Sequence, residues 1–283
     1  MLKNKKYLGQ NWLKDRQILL AIAQLASTTD DARLAKTVQA QEAQEDNVAP
    51  TDTARVPLAL EIGPGLGTLT SALFKFFAQV IAVEIDKDLA QKLPASLPGK
   101  NLKVIPGDFL DLSLAEMLGA NYKNMAYIVV GNIPYYISAP IIRKCLSLRP
   151  KPEKIVFLLQ KEVAQRLAAK PGDYSVLALE TQYQAEVTLG PSVSRQYFTP
   201  VPKVDSQVVI LKPKTDAGQE PWQKLIKAAF LMPRKKLVNN LKRSGIKEEK
   251  ILLALESIGL DAKVRPADLS LEDWDKLAQQ LGL

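Results

Sequence analysis

Between residues 57 and 160, five short apolar runs alternate with helical stretches, and this alternation restricts the fold more than any other feature of the chain. The runs are "PLALEI" (57–62), "QVIAVEI" (79–85), "NLKVIPG" (101–107), "MAYIVVG" (125–131) and "KIVFLLQ" (154–160), with an apolar helical stretch at 139–148 before the last. Short, nearly continuous apolar strands separated by helices predict a parallel, doubly wound α/β sheet. Two further runs, "LETQYQAEVTLG" (179–190) and "DSQVVILKP" (205–213), are separated by a proline-rich loop rather than a helix. They predict an antiparallel pair at the sheet edge, completing a seven-stranded, mostly parallel sheet.

After residue 213 the pattern changes to helical periods closed by glycine, as in "EEKILLALESIG" and "SLEDWDKLAQQLG". The chain is therefore read as a catalytic-type domain over 1–212 and a small all-helical domain over 213–283. The stretch 27–55, with six acids, three bases and little aliphatic weight, reads as a mobile insertion before the first strand.

Composition narrows the chemistry. The 283 residues carry a net charge of +8, which favours a polyanionic partner such as nucleic acid. Histidine, the commonest general base and metal ligand, does not occur. The single cysteine, Cys145, lies in an apolar run and reads as a buried structural thiol. No run approaches 18 uncharged apolar residues and no apolar leader opens the chain, so the sequence reads as soluble and cytoplasmic.

The turn "EIGPGLGTLT" places Gly63, Gly65 and Gly67 after a strand and at the mouth of a helix, where backbone must turn tightly and approach a ligand. The spacing is G-x-G-x-G, not the G-x-G-x-x-G that holds a dinucleotide pyrophosphate, which weakens NAD binding as a reading. Glu84, ending the second strand about 20 residues on, is placed to accept from ribose hydroxyls. After the third strand, Asp108 can accept from an adenine amino group, with Phe109 beside the ring. Loop and acids together favour an adenosine-bearing ligand over a plain glycine turn with a surface acid. These residues resemble class I S-adenosylmethionine-dependent methyltransferases, whose Rossmann-like fold turns the glycine loop toward the methionine end of the cofactor.

The fourth strand runs into Asn132-Ile133-Pro134-Tyr135. This tetrapeptide resembles the signature of methyltransferases that act on exocyclic amino groups of bases. An adenine amino nitrogen is a poor nucleophile because its lone pair is delocalised into the ring. Two acceptors, the Asn132 side-chain oxygen and a main-chain carbonyl of Ile133 or Pro134, can bind its two protons and free the lone pair for attack. Tyr135 can stack on the ring and Pro134 stiffens the segment. The base has to leave any helical stack to reach such a site.

Read in order, "LGQNWL", "EIGPGLGTLT", "VEID", "GDFLD", "GNIPYYIS", "LLQKEVAQRL", "FTPVPKVDSQVV" and "RKKLVNNL" resemble the small-subunit ribosomal RNA adenine dimethyltransferases from about Gly9 to Leu241. That family places two methyl groups on each of two adjacent adenosines near the end of 16S rRNA. The resemblance implies S-adenosyl-L-methionine as cofactor and no metal. It also implies 16S rRNA within the immature small ribosomal subunit as partner, and a monomer. On matching positions it implies that Gln10, Asn11 and Leu13 close over the cofactor, with Gly63, Glu84, Asp108 and Asn132 lining the remainder. Phe198 would face Tyr135 as the second half of a stacking clamp; by its residues alone it reads as an aromatic anchor under a proline loop.

Residues 224–250 hold nine Lys/Arg against two Glu, and the first 16 residues hold five against one Asp. Within the helical part, Arg234, Lys235, Lys242 and Arg243 are read as phosphate contacts. One arginine expected by the family pattern is replaced at Pro233, with Lys236 as the compensating cation. Two other classes remain open. One is the 23S rRNA adenine methyltransferase of the macrolide-resistance type, which shares "NIPY". The other is an assembly factor that keeps the fold without the reaction.

Overall fold

The computed structural model describes residues 10–28, 58–215 and 222–283. Residues 1–9, with their basic side chains, and the acidic stretch from 29 onward lie outside the described residues. The chain divides into two compact units, Met1–Ala164 with Val187–Pro213, and Gln165–Glu186 with Lys214–Leu283. Residues 165–186, expected from the sequence within the first domain, belong to the same compact unit as the C-terminal helices.

In the first unit, strand β1 (Trp12–Leu13) leads into helix α1 (Arg16–Ser27). Asp15 caps that helix by accepting from the Ile18 amide at 2.9 Å. Then follow β2 (Leu58–Ile62), α2 (Thr68–Leu73), β3 (Gln79–Glu84), α3 (Lys87–Ser96), β4 (Leu102–Pro106), α4 (Leu114–Leu118), β5 (Ile128–Asn132), α5 (Ser138–Ser147) and β6 (Lys154–Gln160). Helix α6 (Lys161–Leu167) crosses into the second unit and β7 (Ala185–Val193) returns from it. A two-residue β8 (Phe198–Thr199) and the long β9 (Ser206–Pro213) complete this part.

Seven strands form one sheet in the order β4-β3-β2-β5-β6-β9-β7. The pairs β2–β3, β3–β4, β2–β5 and β5–β6 are parallel, and β9 runs antiparallel to β6 with Phe157 opposite Val209. Strands β2, β5 and β6 are buried on both faces, which explains their near-continuous apolar sequence. Leu19, Ile22 and Leu25 of α1 and Leu69 and Leu73 of α2 close one core cluster with Ala59, Val130, Leu158 and Val208 of the sheet. Cys145 is buried, as expected of a structural thiol.

The chain winds outward from β2 through β3 to β4, then returns to place β5 beside β2. Open sheets of this kind bind ligands at that reversal, outside the carboxyl ends of the strands. The glycine turn and Asn132 lie there together. No helix among the described residues is long and apolar enough to cross a membrane.

The second unit contains α7 (Val176–Gln184), α8 (Trp222–Ala229), α9 (Leu237–Arg243), α10 (Glu248–Ser257) and α11 (Leu271–Gln280). Residues 179–184, read from sequence as strand, are helical: Ser175 accepts from the Ala178 amide at 3.2 Å and starts α7. The β-rich composition of that stretch yields to burial of Ala178 and Leu179 against Trp222, Leu225, Leu241, Leu255 and Trp274. Tyr183 stacks on Trp222 with ring centroids 3.7 Å apart.

Candidate active site

The glycine turn is built by backbone hydrogen bonds and a carboxylate. Gly63 donates to Val83 and Gly67 to Pro64, each at 2.9 Å, and Gly63, Gly65 and Gly67 all have positive φ. A Cβ at Gly65 would come 3.0 Å from the Trp12 indole nitrogen, whereas one at Gly63 would meet no atom within 4 Å. Backbone at Gly63 therefore faces open space, as a ligand cradle requires. The Glu84 carboxylate accepts from the Gly65 amide and from the Asp86 amide, both at 2.9 Å. Burial raises its pKa, and these two amides work against the rise.

Glu61, in the middle of β2, escaped the sequence reading. It is 1% exposed and neither carboxylate oxygen has a hydrogen-bond partner; the Thr70 hydroxyl and the Trp12 indole N–H are likewise buried without partners. Burial pushes the Glu61 carboxyl up to about 8, and the nearby Glu84 charge adds to the rise. An acid inside "LALEI" is the one signal that could have found it. Buried polar atoms without partners, an open glycine turn and two acids fit a polar cofactor with an adenosine part. Among the described residues no cluster of three His, Cys, Asp or Glu is arranged to hold a metal ion.

Asp108 opens the turn after β4, its Oδ1 accepting from the Leu110 amide at 2.8 Å. Phe109 is buried under the Lys144 ammonium, which lies 5.2 Å from the ring centroid. Lys144 also donates to the carbonyls of Leu110 and Leu112 at 2.7 and 2.6 Å, a contact across more than 30 residues that sequence spacing does not reveal.

At the end of β5, the Asn132 amide nitrogen donates to the Asn11 carbonyl at 2.8 Å. That bond orients the side chain and turns Oδ1 away from Asn11 as an acceptor. Ile133 is buried, and its amide is held by the Leu158 carbonyl at 3.2 Å. The Pro134 carbonyl already accepts from the Ile137 amide at 3.2 Å, so of the two carbonyls considered from the sequence, that of Ile133 is the better second acceptor. The half-buried Tyr135 shares a 3.1 Å hydrogen bond with Ser206 of β9, and burial raises the pKa of its hydroxyl. The neighbouring Tyr136 is exposed.

The N-terminal segment does reach this site, through a ladder the sequence reading missed: β1 pairs with β8, Trp12 opposite Thr199 and Leu13 opposite Phe198. That ladder places two of the residues expected at the site. The Leu13 side chain is buried in the core cluster that includes Leu69 and Leu73 of α2, and its carbonyl accepts from the Thr68 hydroxyl at 3.2 Å. Phe198 is 1% exposed and packs in the same core, as the aromatic anchor that its own residues indicated. Gln10 and Asn11 are both half-buried at the start of the described chain.

In the second unit, Arg234 and Lys235 lie on the turn before α9, and Lys242 and Arg243 in its last turn; all four are exposed. Lys242 pairs with Glu248. The buried Asn240 clamps the turn, accepting from the Met232 amide at 3.2 Å and donating to its carbonyl at 3.0 Å.

The profile of the ribosomal RNA adenine dimethylase family matches residues 1–281. The ribosomal RNA small subunit methyltransferase A of Nostoc punctiforme is 38% identical over 298 residues, spanning 100% of this chain and 96% of that protein. That of Geobacter sulfurreducens is 37% identical over 290 residues, spanning 99% and 96%. Among solved structures, a dimethyladenosine transferase from Plasmodium falciparum gives a TM-score of 0.74 at 26% identity, covering 96% of this chain and 98% of that one. The 23S rRNA methyltransferase ErmE gives 0.68 at 26% identity, covering 96% and 100%. The fold is that of the class I methyltransferases, and the chain belongs to the ribosomal RNA adenine dimethylase family.

Proposed function

We propose that this chain uses S-adenosyl-L-methionine to dimethylate the exocyclic amino groups of two adjacent adenosines near the 3′ end of 16S rRNA, acting as a monomer on the immature small subunit in the cytoplasm. The observation that carries this reading is the Asn132 side chain, at the end of β5 where the strand order reverses, tied through its amide nitrogen to the Asn11 carbonyl at 2.8 Å.

The cofactor supplies an electrophilic sulfonium methyl when bound. Glu84 and Asp108 hold its adenosine part by accepting from ribose hydroxyls and the adenine amino group, while the open face of Gly63 admits the rest. Asn132 Oδ1 and the Ile133 carbonyl accept the two protons of the target amino group, drawing the nitrogen toward tetrahedral geometry. Tyr135 stacks on the flipped base and fixes the line of attack. The acceptors are set before reaction and meet the charge that develops on nitrogen, which is the most effective form of electrostatic help. With no histidine in the chain, the proton leaves to water from a nitrogen made acidic by methylation. Arg234, Lys235, Lys242 and Arg243 contact phosphates and supply affinity rather than chemistry.

The likeness to ErmE keeps 23S rRNA as the second reading. The relatives that span the full chain are small-subunit enzymes by name, which favours 16S rRNA. Incubation with methyl-labelled cofactor and either immature small subunits or 23S transcripts decides between them. Label in N6,N6-dimethyladenosine of the small subunit is the expected result. Label in 23S rRNA alone would assign the second reading, and none in either would leave an assembly factor.

A further inference from the structure

We propose that Lys144 is a positioning residue for methyl transfer, fixing the adenosine end of the cofactor site to the helix that carries the base-holding turn. The proposal deepens the reading above and rests on it. Helix α5 begins directly after Tyr135-Tyr136-Ile137, and the Ser138 hydroxyl at its start donates to the Tyr135 carbonyl at 3.2 Å. Six residues on, about 9 Å along the axis, the same helix presents Lys144. Its ammonium donates to the carbonyls of Leu110 and Leu112, two peptide oxygens of the turn that Asp108 begins, at 2.7 and 2.6 Å. It also lies 5.2 Å from the centroid of Phe109. One short helix is thereby bonded at its start to the turn that holds the target base and at its second turn to the loop that reads adenine.

The chemistry of the contact favours positioning over simple packing. Burial opposes the charge on Lys144, and Asp111 is the foremost of the neighbouring groups that restore it. An apolar side chain could fill the same volume without that cost. An ammonium between two carbonyls fixes the direction of the loop backbone, and with it the Asp108 carboxylate, whose Oδ1 is engaged by the Leu110 amide at 2.8 Å. Asp108 and Phe109 form no part of the base-holding turn, and this link joins the two halves of the site outside the sheet.

The test is calorimetric binding of S-adenosylmethionine, S-adenosylhomocysteine and 5′-methylthioadenosine to wild type, Lys144→Met, Lys144→Gln and Lys144→Arg. Methylthioadenosine keeps the adenosine half and lacks the amino-acid part. Lys144→Met is expected to weaken all three ligands by a similar factor, about tenfold for a lost charged hydrogen-bond pair. Lys144→Gln, which keeps a donor, should fall between, and Lys144→Arg should recover most of the affinity. In combination with Asp108→Ala the Lys144→Met loss should largely vanish, because both act through one loop. Lys144→Met or Lys144→Gln protein that binds all three ligands like wild type would overturn the proposal, even with a lowered melting temperature. So would a loss confined to ligands with the amino-acid part, or full additivity with Asp108→Ala. If the wild type binds none of the three, the cofactor reading itself fails, a result distinct from indifference of the variants.

Discussion

The side-chain amide of Asn132 donates to the main-chain carbonyl of Asn11 at 2.8 Å, joining residues 121 positions apart. The bond selects one orientation of an amide that would otherwise present either end to a ligand. It also makes the N-terminal segment a wall of the site: Asn11 precedes β1, which pairs with β8 and so with the loop leading to β9. Order in the segment and orientation of the reactive-site acceptor are thus one feature of the fold.

Tyr135 bonds Ser206 at 3.1 Å, and Ser206 is fully buried, so ring and hydroxyl can be separated experimentally. Tyr135→Ala should lose base stacking of about 1–3 kcal/mol and slow single-turnover transfer accordingly. Tyr135→Phe keeps the ring and should retain most of the rate, at a stability cost of about 1 kcal/mol for the orphaned serine. Ser206→Ala should resemble Tyr135→Phe in both respects. A Tyr135→Phe enzyme as inactive as Tyr135→Ala would move the role from the ring to the hydroxyl.

Glu84 is read as the ribose acceptor, and it also ties Gly65 and Asp86 into the glycine turn. Glu84→Ala should weaken cofactor binding by about 1.5–3 kcal/mol, tenfold or more. It should also lower the melting temperature of the protein without ligand, since two amides lose their acceptor. Calorimetry and thermal denaturation measure the two effects separately. Unchanged affinity with reduced stability would leave Glu84 only its structural task.

Glu61 makes stability depend on pH. Its carboxyl ionises near 4.5 in the unfolded chain, and burial pushes it up to about 8 in the folded one. Between those values the folded state binds the proton and the unfolded state does not, so stability falls as pH rises through the window. The contribution is at most about 1.4 kcal/mol per pH unit. Glu61→Gln should flatten that slope and leave the variant more stable than wild type at the alkaline end, as read from melting temperatures at several pH values. An unaltered slope would show that Glu61 does not titrate there.

Arg234, Lys235, Lys242 and Arg243 are exposed around α9, and Asn240 holds their turn by accepting from the Met232 amide and donating to its carbonyl. Reversing the four charges should weaken binding to small subunits and reduce its salt dependence, while cofactor affinity stays constant. The pair of Lys242 with exposed Glu248 should add little to stability. RNA binding indifferent to all four changes would make the run a solvated face.

The sheet was legible because parallel strands buried on both faces read as near-continuous apolar runs, such as "YIVV" and "IVFLL". The glycine turn, Glu84 and the Asn132 turn were legible because each sits at a strand end where an α/β sheet binds ligands. What stayed hidden depends on contacts between distant parts of the chain. Lys144 and Asn240 act on backbone carbonyls and amides that carry no side-chain signature. The pairing of Leu13 with Phe198 turned a supposed clamp residue into core. Residues 165–186 leave the first unit for the second without a change in composition, and α7 forms from β-prone residues once Ser175 caps it.

The most direct measurement is single-turnover methyl transfer to immature small subunits by Asn132→Ala, with RNA and cofactor affinity determined alongside. Asn132→Ala removes one of two acceptors placed where the amino nitrogen gains charge, a loss worth about 2.7–4 kcal/mol, or roughly 100- to 1000-fold in rate. RNA affinity should hardly change, because phosphate contacts supply most of it. A drop of that size with RNA binding retained is the expected result. Near-normal turnover by Asn132→Ala would contradict the account.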